Sequence, residues 1–416
     1  MNHSALHPRA AIKWAAVLAI LAGVVGSASA FFLWALDAVT LVRFGKPWLL
    51  YLLPLAGLCV GLLYHLYGES VNGGSNLLID EIHQPGAGVP RRMAPLILVG
   101  TLVTHLFGGS AGREGTALQM GGGIAAMLAR WFRLDSSGMR ILLMAGIAAG
   151  FGSIFGTPIA GAVFALEVLV VGRVQYDALV PCFFAAALAD WVCRSWGIVH
   201  THYVVAAPKM NGLLDFVLAS KVIVAAVGFG VVGMLFTTLS HRLGDVFKRH
   251  IFRPELRPLV GGLLVIGLYY LSGTGDYLGL GVMGSRPESV TLPAMFVSNE
   301  VPAGAWAWKL LFTVITLGAG FKGGEVTPLF FIGAALGNTF ASVLGAPIDL
   351  FAALGFVAIF AGAMKTPIAS IFLGIELFGA GNGLYIATAC IIACRCSGSK
   401  GIYSAQRIPV NHNWLA

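Results

Sequence analysis

Two glutamates stand in glycine-rich breaks of an otherwise apolar chain, Glu114 in GSAGREGTALQMGG and Glu325 in GFKGGEVTPLFFIG, and each is followed two positions later by a threonine, Thr116 or Thr327. A carboxylate is costly inside a bilayer unless it faces a polar pathway or partners. Glycine-rich turns that open a helix leave backbone N–H groups unpaired along the positive end of the helix dipole, and that arrangement binds anions. A third such turn, NGGSNLL, adds Gly74, Ser75 and Asn76 to the set. These residue types point to an anion-binding site with carboxyl groups close to it.

The elements that must hold these residues belong in a membrane. Of 416 residues 57% are hydrophobic and 11% charged, with mean hydropathy +0.84, whereas an average soluble domain carries about 25% charged residues. Apolar stretches recur along the chain, among them 14–36, 48–67, 94–108, 139–171, 215–238, 327–344 and 367–378. Several are shorter than the roughly 20 residues that cross a hydrocarbon core upright. Short, Gly/Pro-interrupted helices mark transporters, because irregular backbone at membrane depth survives only where protein buries it or water reaches it. The expected fold is therefore an all-α polytopic membrane protein.

Arg9 and Lys13 precede the first apolar run and suggest a cytoplasmic N-terminus. The SASA stretch resembles a signal-peptidase site, but the apolar run continues through Phe31, Phe32 and Leu33. The net charge of +8 is scattered between apolar spans, which suits basic loops at a membrane surface better than nucleic-acid binding. Arg91 with Arg92, the 130–140 region and the 242–257 segment are the candidate cytoplasmic loops. Six cysteines lack a CxxC pair, so packing is their expected role, with neither metal site nor cofactor implied.

The chain also repeats itself. GREGTALQMG from Gly112 can be laid over GGEVTPLFFIG from Gly323, pairing Glu114 with Glu325, Thr116 with Thr327 and Leu118 with Leu329. Downstream, TPIAGAVFALE from Thr157 overlays TPIASIFLGIE from Thr366 at nearly the same separation, pairing Glu167 with Glu376. Two matches in one order imply duplicated halves. The expected organisation is an N-terminal segment with the start of the first helix (1–34), a first repeat (35–200), a connecting segment with a helix (201–250), a second repeat (251–395) and a C-terminal segment (396–416). Duplicated halves place the substrate site at their interface, near the bilayer midplane.

At this point the residues resemble a known family. GSAGREGT is similar to the GxGREGP signature of the CLC chloride channels and anion/proton antiporters, GGSN sits where that family has GSGIP, and GGEVTP falls where it has GxFxP. Tyr403 in GIYSAQ lies where the family has its C-terminal anion-coordinating tyrosine. The resemblance implies a CLC-type fold with two inverted-topology repeats of short, broken and tilted helices, and a homodimer with one pathway per subunit. The chain departs from the chloride pattern at Thr116, where proline is usual, at GGSNL, and at Glu325, Val326 and Thr327, which replace an apolar triplet before Pro328. Those changes, with LLIDEIH, resemble the fluoride-exporting branch, which exchanges fluoride for protons. A chain of this length without CBS domains suits that prokaryotic branch and implies a multi-pass protein of the cell (inner) membrane.

The resemblance implies gating and proton-coupling roles for Glu114 and Glu325. It implies anion binding by Gly74, Ser75, Asn76, Gly112, Arg113, Gly115, Thr116, Val326, Thr327 and Tyr403. Many CLC antiporters carry paired carboxylates after the APxAG helix; here Glu167 matches the outer member and Val168 occupies the proton-relay position, so Glu325 is the candidate replacement carrier. The expected mechanism has deprotonated Glu114 blocking an outer anion site and swinging away when protonated. Fluoride is small, strongly hydrated and a strong acceptor, so its site needs donors such as Ser75, Asn76, Thr327 and Tyr403, and a Glu325 carboxyl that carries its proton can join them.

Chloride or nitrate is the rival substrate, favoured by Ser75, and a passive anion channel is the rival mode. An intramembrane enzyme is disfavoured, since HExxH, a plausible GxSxG triad and a nucleotide loop are all missing from the sequence. Asp80, Glu81 and His83 are expected at a solvated helix end. His105, Phe330 and Phe331 are expected as packed core, and Glu167 and Glu376 as structural caps.

Overall fold

A computed structural model describes residues 8–86, 88–206 and 215–409, which form fifteen α-helices and, among the described residues, no β-strand. The side chain of Arg9 and residues 410–416 of the C-terminal segment lie outside the described residues. The first half holds α1 (Pro8–Gly45), α2 (Leu53–Tyr67), α3 (Ser75–His83), α4 (Met93–Leu106), α5 (Glu114–Trp131), α6 (Ser136–Phe155), α7 (Pro158–Glu167) and α8 (Leu179–Ser195). After these come α9 (Phe216–His250), α10 (Arg257–Ser272), α11 (Ala305–Gly318), α12 (Val326–Leu344), α13 (Ile348–Met364), α14 (Pro367–Phe378) and α15 (Gly383–Cys396).

Helix α1 has 38 residues, about 57 Å at 1.5 Å per residue, and overshoots a hydrocarbon core of about 30 Å. Among the described residues six segments are long and apolar enough to cross a membrane, whereas α4, α7, α11, α13, α14 and α15 are shorter apolar helices. The mixture of long and short helices is that of a bundle with broken spans. One expected span divides in two: the apolar run 139–171 is α6 and α7, because Gly156 ends α6 in the left-handed region (φ 72°) and Pro158 starts α7. The equivalent break between α13 and α14 uses Lys365 at φ 61°. Its ammonium donates to the carbonyls of Ser397 and Gly398 at 3.1 and 2.7 Å, bonds that offset the backbone strain of a non-glycine residue there.

Close helix contact comes from glycine. A Cβ at Gly146 of α6 would collide with the Gly121 carbonyl of α5, and one at Gly333 of α12 would meet the Gly355 carbonyl of α13. The same kind of pair thus joins the helix after each Glu-bearing break to its successor, as small-residue packing in membranes favours. Where the halves meet, Phe151 and Phe164 lie 6.2 and 6.0 Å from Phe360 between ring centroids, and Phe155 lies 5.3 Å from Phe330. Phe330 and Phe331 are fully buried, as core residues should be.

Candidate functional site

The two breaks touch through their backbones. Gly112 donates its N–H to the carbonyl of Gly324 at 2.6 Å, and Gly324 donates back to Gly112 at 2.8 Å. Side chains on this ladder would collide: a Cβ at Gly324 would sit 2.5 Å from the Gly115 nitrogen. The first break is pinned further by α11, where Thr316 accepts from the Ser110 N–H at 3.1 Å and Thr313 pairs with the Ser110 hydroxyl at 2.9 Å. His105 on α4 is packed, with Nδ1 on the Thr101 carbonyl and Nε2 on the Ala111 carbonyl. So fixed, the breaks aim the N-termini of α5 and α12 at a common point.

Glu114 occupies that point and is fully buried. Its Oε2 accepts from the backbone N–H groups of Arg113 and Thr327, both at 3.0 Å, and its Oε1 accepts from the Thr327 hydroxyl. Arg113 Nε stands 3.6 Å from Oε1, close for a charge pair and long for a hydrogen bond. The carboxylate thus takes the donors that a free anion at the start of α12 would take.

A cavity of about 740 Å³ opens beside the start of α12. Glu325, the N-cap residue of α12, lines it together with Ser75, Asn76, Gln119, Lys322 and Tyr403. Gly74 turns into α3 at φ +55° and presents Ser75. Asn76 fixes the C-terminal segment by accepting from the Ala405 N–H at 3.0 Å. That segment is clamped again by Ile402, which donates to Ala363, and by the Gln406 amide, which donates to the carbonyls of Val168 and Met364. Tyr403 is held between these ties with its hydroxyl buried, facing Ser75 without a well-aligned hydrogen bond to any protein group. His65, His241, Lys248 and Arg257 line the same cavity, with Glu69 among them.

A second, separate cavity of only about 20 Å³ touches Arg113 and Thr327, the two residues that hold Glu114. Phe155, Phe330 and Phe356 wall it, and His200, Thr201 and Tyr203 cover it from the segment after α8. Tyr203 is anchored among Phe296, Phe356 and Phe378, with ring centroids 4.9, 5.6 and 5.8 Å away.

The remaining residues expected at the site fall around this centre. Gly112, Arg113 and Gly115 contribute backbone and close approach. Val326 is fully buried in the first turn of α12, and Thr116 pairs its hydroxyl with Thr101 of α4 at 2.6 Å. Val168 is buried and apolar. Glu81 departs from its expected place at a solvated helix end: it is buried and accepts from the N–H groups of Gly86 and Gly88, closing the turn after α3. Among the described residues there is no cluster of His, Cys, Asp and Glu able to hold a metal. His200, Tyr203 and Lys322 were missed from sequence; the two histidines and the tyrosine of VHTHYVV, polar residues between apolar spans, were the available signal.

Comparison with known proteins places this geometry in context. The family model described as voltage gated chloride channel matches residues 56–398. A chloride/fluoride channel protein of Pseudomonas syringae pv. tomato is 50% identical over 398 residues, 95% of this chain and 86% of that protein. An H(+)/Cl(-) exchange transporter ClcA of Vibrio vulnificus is 28% identical over 75% of this chain and 69% of its own length. Among solved structures, a CLC-type fluoride/proton antiporter superimposes with TM-score 0.90 at 35% identity, covering 97% of this chain and 99% of that one. A slow cyanobacterial Cl-/H+ antiporter shares the fold at TM-score 0.79 and 22% identity, covering 96% of this chain and 97% of its own.

Proposed function

Because the chain belongs to the voltage gated chloride channel (CLC) family, we propose that it is a fluoride/proton antiporter that exports fluoride from the cytoplasm in exchange for protons. The observation that carries this reading is the Glu114 carboxylate, seated on the donors Arg113 N–H, Thr327 N–H and Thr327 hydroxyl. A carboxylate and an anion compete for those donors. Protonation removes the charge that makes the bonds strong, so a neutral Glu114 yields the place to fluoride, and the arriving anion and the departing proton become linked.

Glu325 supports the same reading. It lies on the wide cavity at the start of the same helix, near enough to Glu114 for their charges to interact, and it supplies a proton carrier where Val168 cannot. The donors around it, Ser75, Asn76 and Tyr403, suit an anion that must exchange many water contacts for hydrogen bonds. We assign the wide cavity to the cytoplasmic side, because the basic 242–257 segment rims it with Lys248 and Arg257. The narrow cavity then faces outward. The family resemblance supports a homodimer in a bacterial inner membrane, with the two repeats of each subunit bounded near 35–200 and 251–395.

The test is flux from liposomes loaded with fluoride or chloride. An outward fluoride gradient is expected to drive protons inward, and an equal chloride gradient to drive far fewer. Fluoride efflux without proton movement would make the protein a channel, and equal proton uptake with chloride would make it a chloride exchanger.

A further inference from the structure

Two residues that line the narrow cavity each carry a buried polar atom that the fold leaves without a hydrogen bond. Arg113 Nε and His200 Nε2 are both buried, each has a carboxylate oxygen only at ion-pair distance, 3.6 Å from Glu114 and 3.5 Å from Asp190, and both residues line the cavity. Thr327, whose hydroxyl donates to Glu114, is a third polar wall. A buried water needs roughly 10–15 Å³ and two to four polar partners; a space of about 20 Å³ with three such residues has room for a single water. Unpaired buried donors and acceptors are otherwise costly.

His200 is built into this position. Gly156, at φ +72°, makes room for the ring, since a Cβ there would lie 2.5 Å from His200 Cδ2. Asp190 Oδ1 of α8 stands 3.5 Å from Nε2, and Arg194 fixes that carboxylate with bonds of 3.1 and 2.9 Å. The charged groups around the ring are thus Asp190 and Arg194 on α8, Arg113 at the first break, and Glu376 on α14, which interacts with the Asp190–Arg194 pair. An imidazole is the side chain whose charge changes between about pH 5 and 8.

We propose that His200 is the outward-facing proton-transfer residue, which protonates Glu114 through one water in the narrow cavity and the Thr327 hydroxyl. The imidazolium gives its Nε2 proton to the water, and the water passes one of its own to Thr327 Oγ1. Thr327 releases its hydroxyl hydrogen to Glu114 Oε1, leaving a neutral carboxylic acid, an unchanged water, an unchanged hydroxyl and a neutral ring. The ring reloads from the outer solution beside Asp190. This step rests on the antiport reading and names the group that supplies its proton.

The experiment is fluoride-driven proton uptake by reconstituted protein between pH 5.5 and 8.5. His200→Gln is expected to cut turnover about tenfold or more at pH 7.5 and above, to approach wild type at pH 5.5, where hydronium reaches Glu114 directly, and to recover with added imidazole. The proton-to-fluoride ratio should not change. A purely structural histidine would lower turnover equally at every pH, and a profile parallel to wild type would overturn the proposal. Asp190→Asn gives an independent check: without the carboxylate 3.5 Å from Nε2 the ring reloads more slowly, so turnover at pH 7.5 should fall, and unchanged turnover also overturns it. Wild-type fluoride flux with no protons would instead defeat the antiport reading itself.

Discussion

Glu167 and Glu376 cap each other's repeat. The Glu167 carboxylate, at the end of α7, accepts from the N–H groups of Ile368 and Ala369 in the first turn of α14, at 3.1 and 2.8 Å. Glu376, near the end of α14, accepts from Ile159 and Ala160 in the first turn of α7, at 3.1 and 2.7 Å. Each helix opens with a proline, so the next two N–H groups are those left without partners inside the helix. The reciprocity follows from two halves related by inversion: whatever one repeat's glutamate does to the other's helix start is done in return.

Removing Glu167 should therefore destabilise the fold and leave the coupling chemistry intact. Glu167→Ala strands two donors beside a residue that is 2% exposed, at a cost of about 1–3 kcal/mol for each buried unsatisfied group. The thermal unfolding temperature of the detergent-solubilised protein should fall, and Glu376→Ala should lower it less, because Glu376 is only half-buried and water can replace it. The proton-to-fluoride ratio of the surviving protein should match wild type. Equal unfolding temperatures for wild type and Glu167→Ala would show that the caps do not support the fold.

Glu114→Gln tests the gate. The amide cannot carry a proton, and its NH2 group would face a donor, either the Thr327 hydroxyl or the N–H groups of Arg113 and Thr327. Fluoride-driven proton uptake into liposomes should fall to background while fluoride itself still crosses. Persistent coupled uptake would remove Glu114 from the proton path.

The breaks were readable because glycine marks them, and the caps because TPIA recurs with a glutamate at its end. What tertiary contact decides was not readable. Thr116 and Thr327 align in the repeat, yet Thr116 lies two residues inside α5 from Glu114, roughly 200° around the helix, and meets Thr101. Thr327 crosses between the halves to Glu114, a partner 213 residues away. Likewise the 139–171 run looked like one span because Gly156, Thr157 and Pro158 interrupt it for only three residues. His200 and Tyr203 reach the site from a linker, and no local periodicity connects a linker to a helix start in either repeat.

Glu325→Gln separates the two carboxyls. Glu325 lines the wide cavity and Thr327, two residues on, lines the narrow one, so the start of α12 stands between both openings. On the proposed route this carboxyl carries protons between the wide cavity and Glu114, and the amide cannot. Coupled proton movement should drop at least tenfold, a loss of about 1.4 kcal/mol in transition-state terms. Undiminished fluoride-driven proton uptake would take Glu325 off the route and leave it a hydrogen-bonding role at the anion site.

Tyr403→Phe isolates a hydroxyl that works for the anion alone. Tyr403 is 6% exposed and clamped by the C-terminal segment, while its hydroxyl faces Ser75 without a well-aligned hydrogen bond. Deleting it therefore removes no well-aligned bond from the fold, and the unfolding temperature should stay near that of wild type. For fluoride the same deletion removes one donor, worth about 0.5–1.5 kcal/mol, so the fluoride concentration giving half-maximal efflux should rise roughly 2- to 10-fold at an unchanged proton-to-fluoride ratio. Half-maximal efflux at the wild-type concentration would mean that the hydroxyl does not coordinate the anion, whatever the ring contributes to the wall of the cavity.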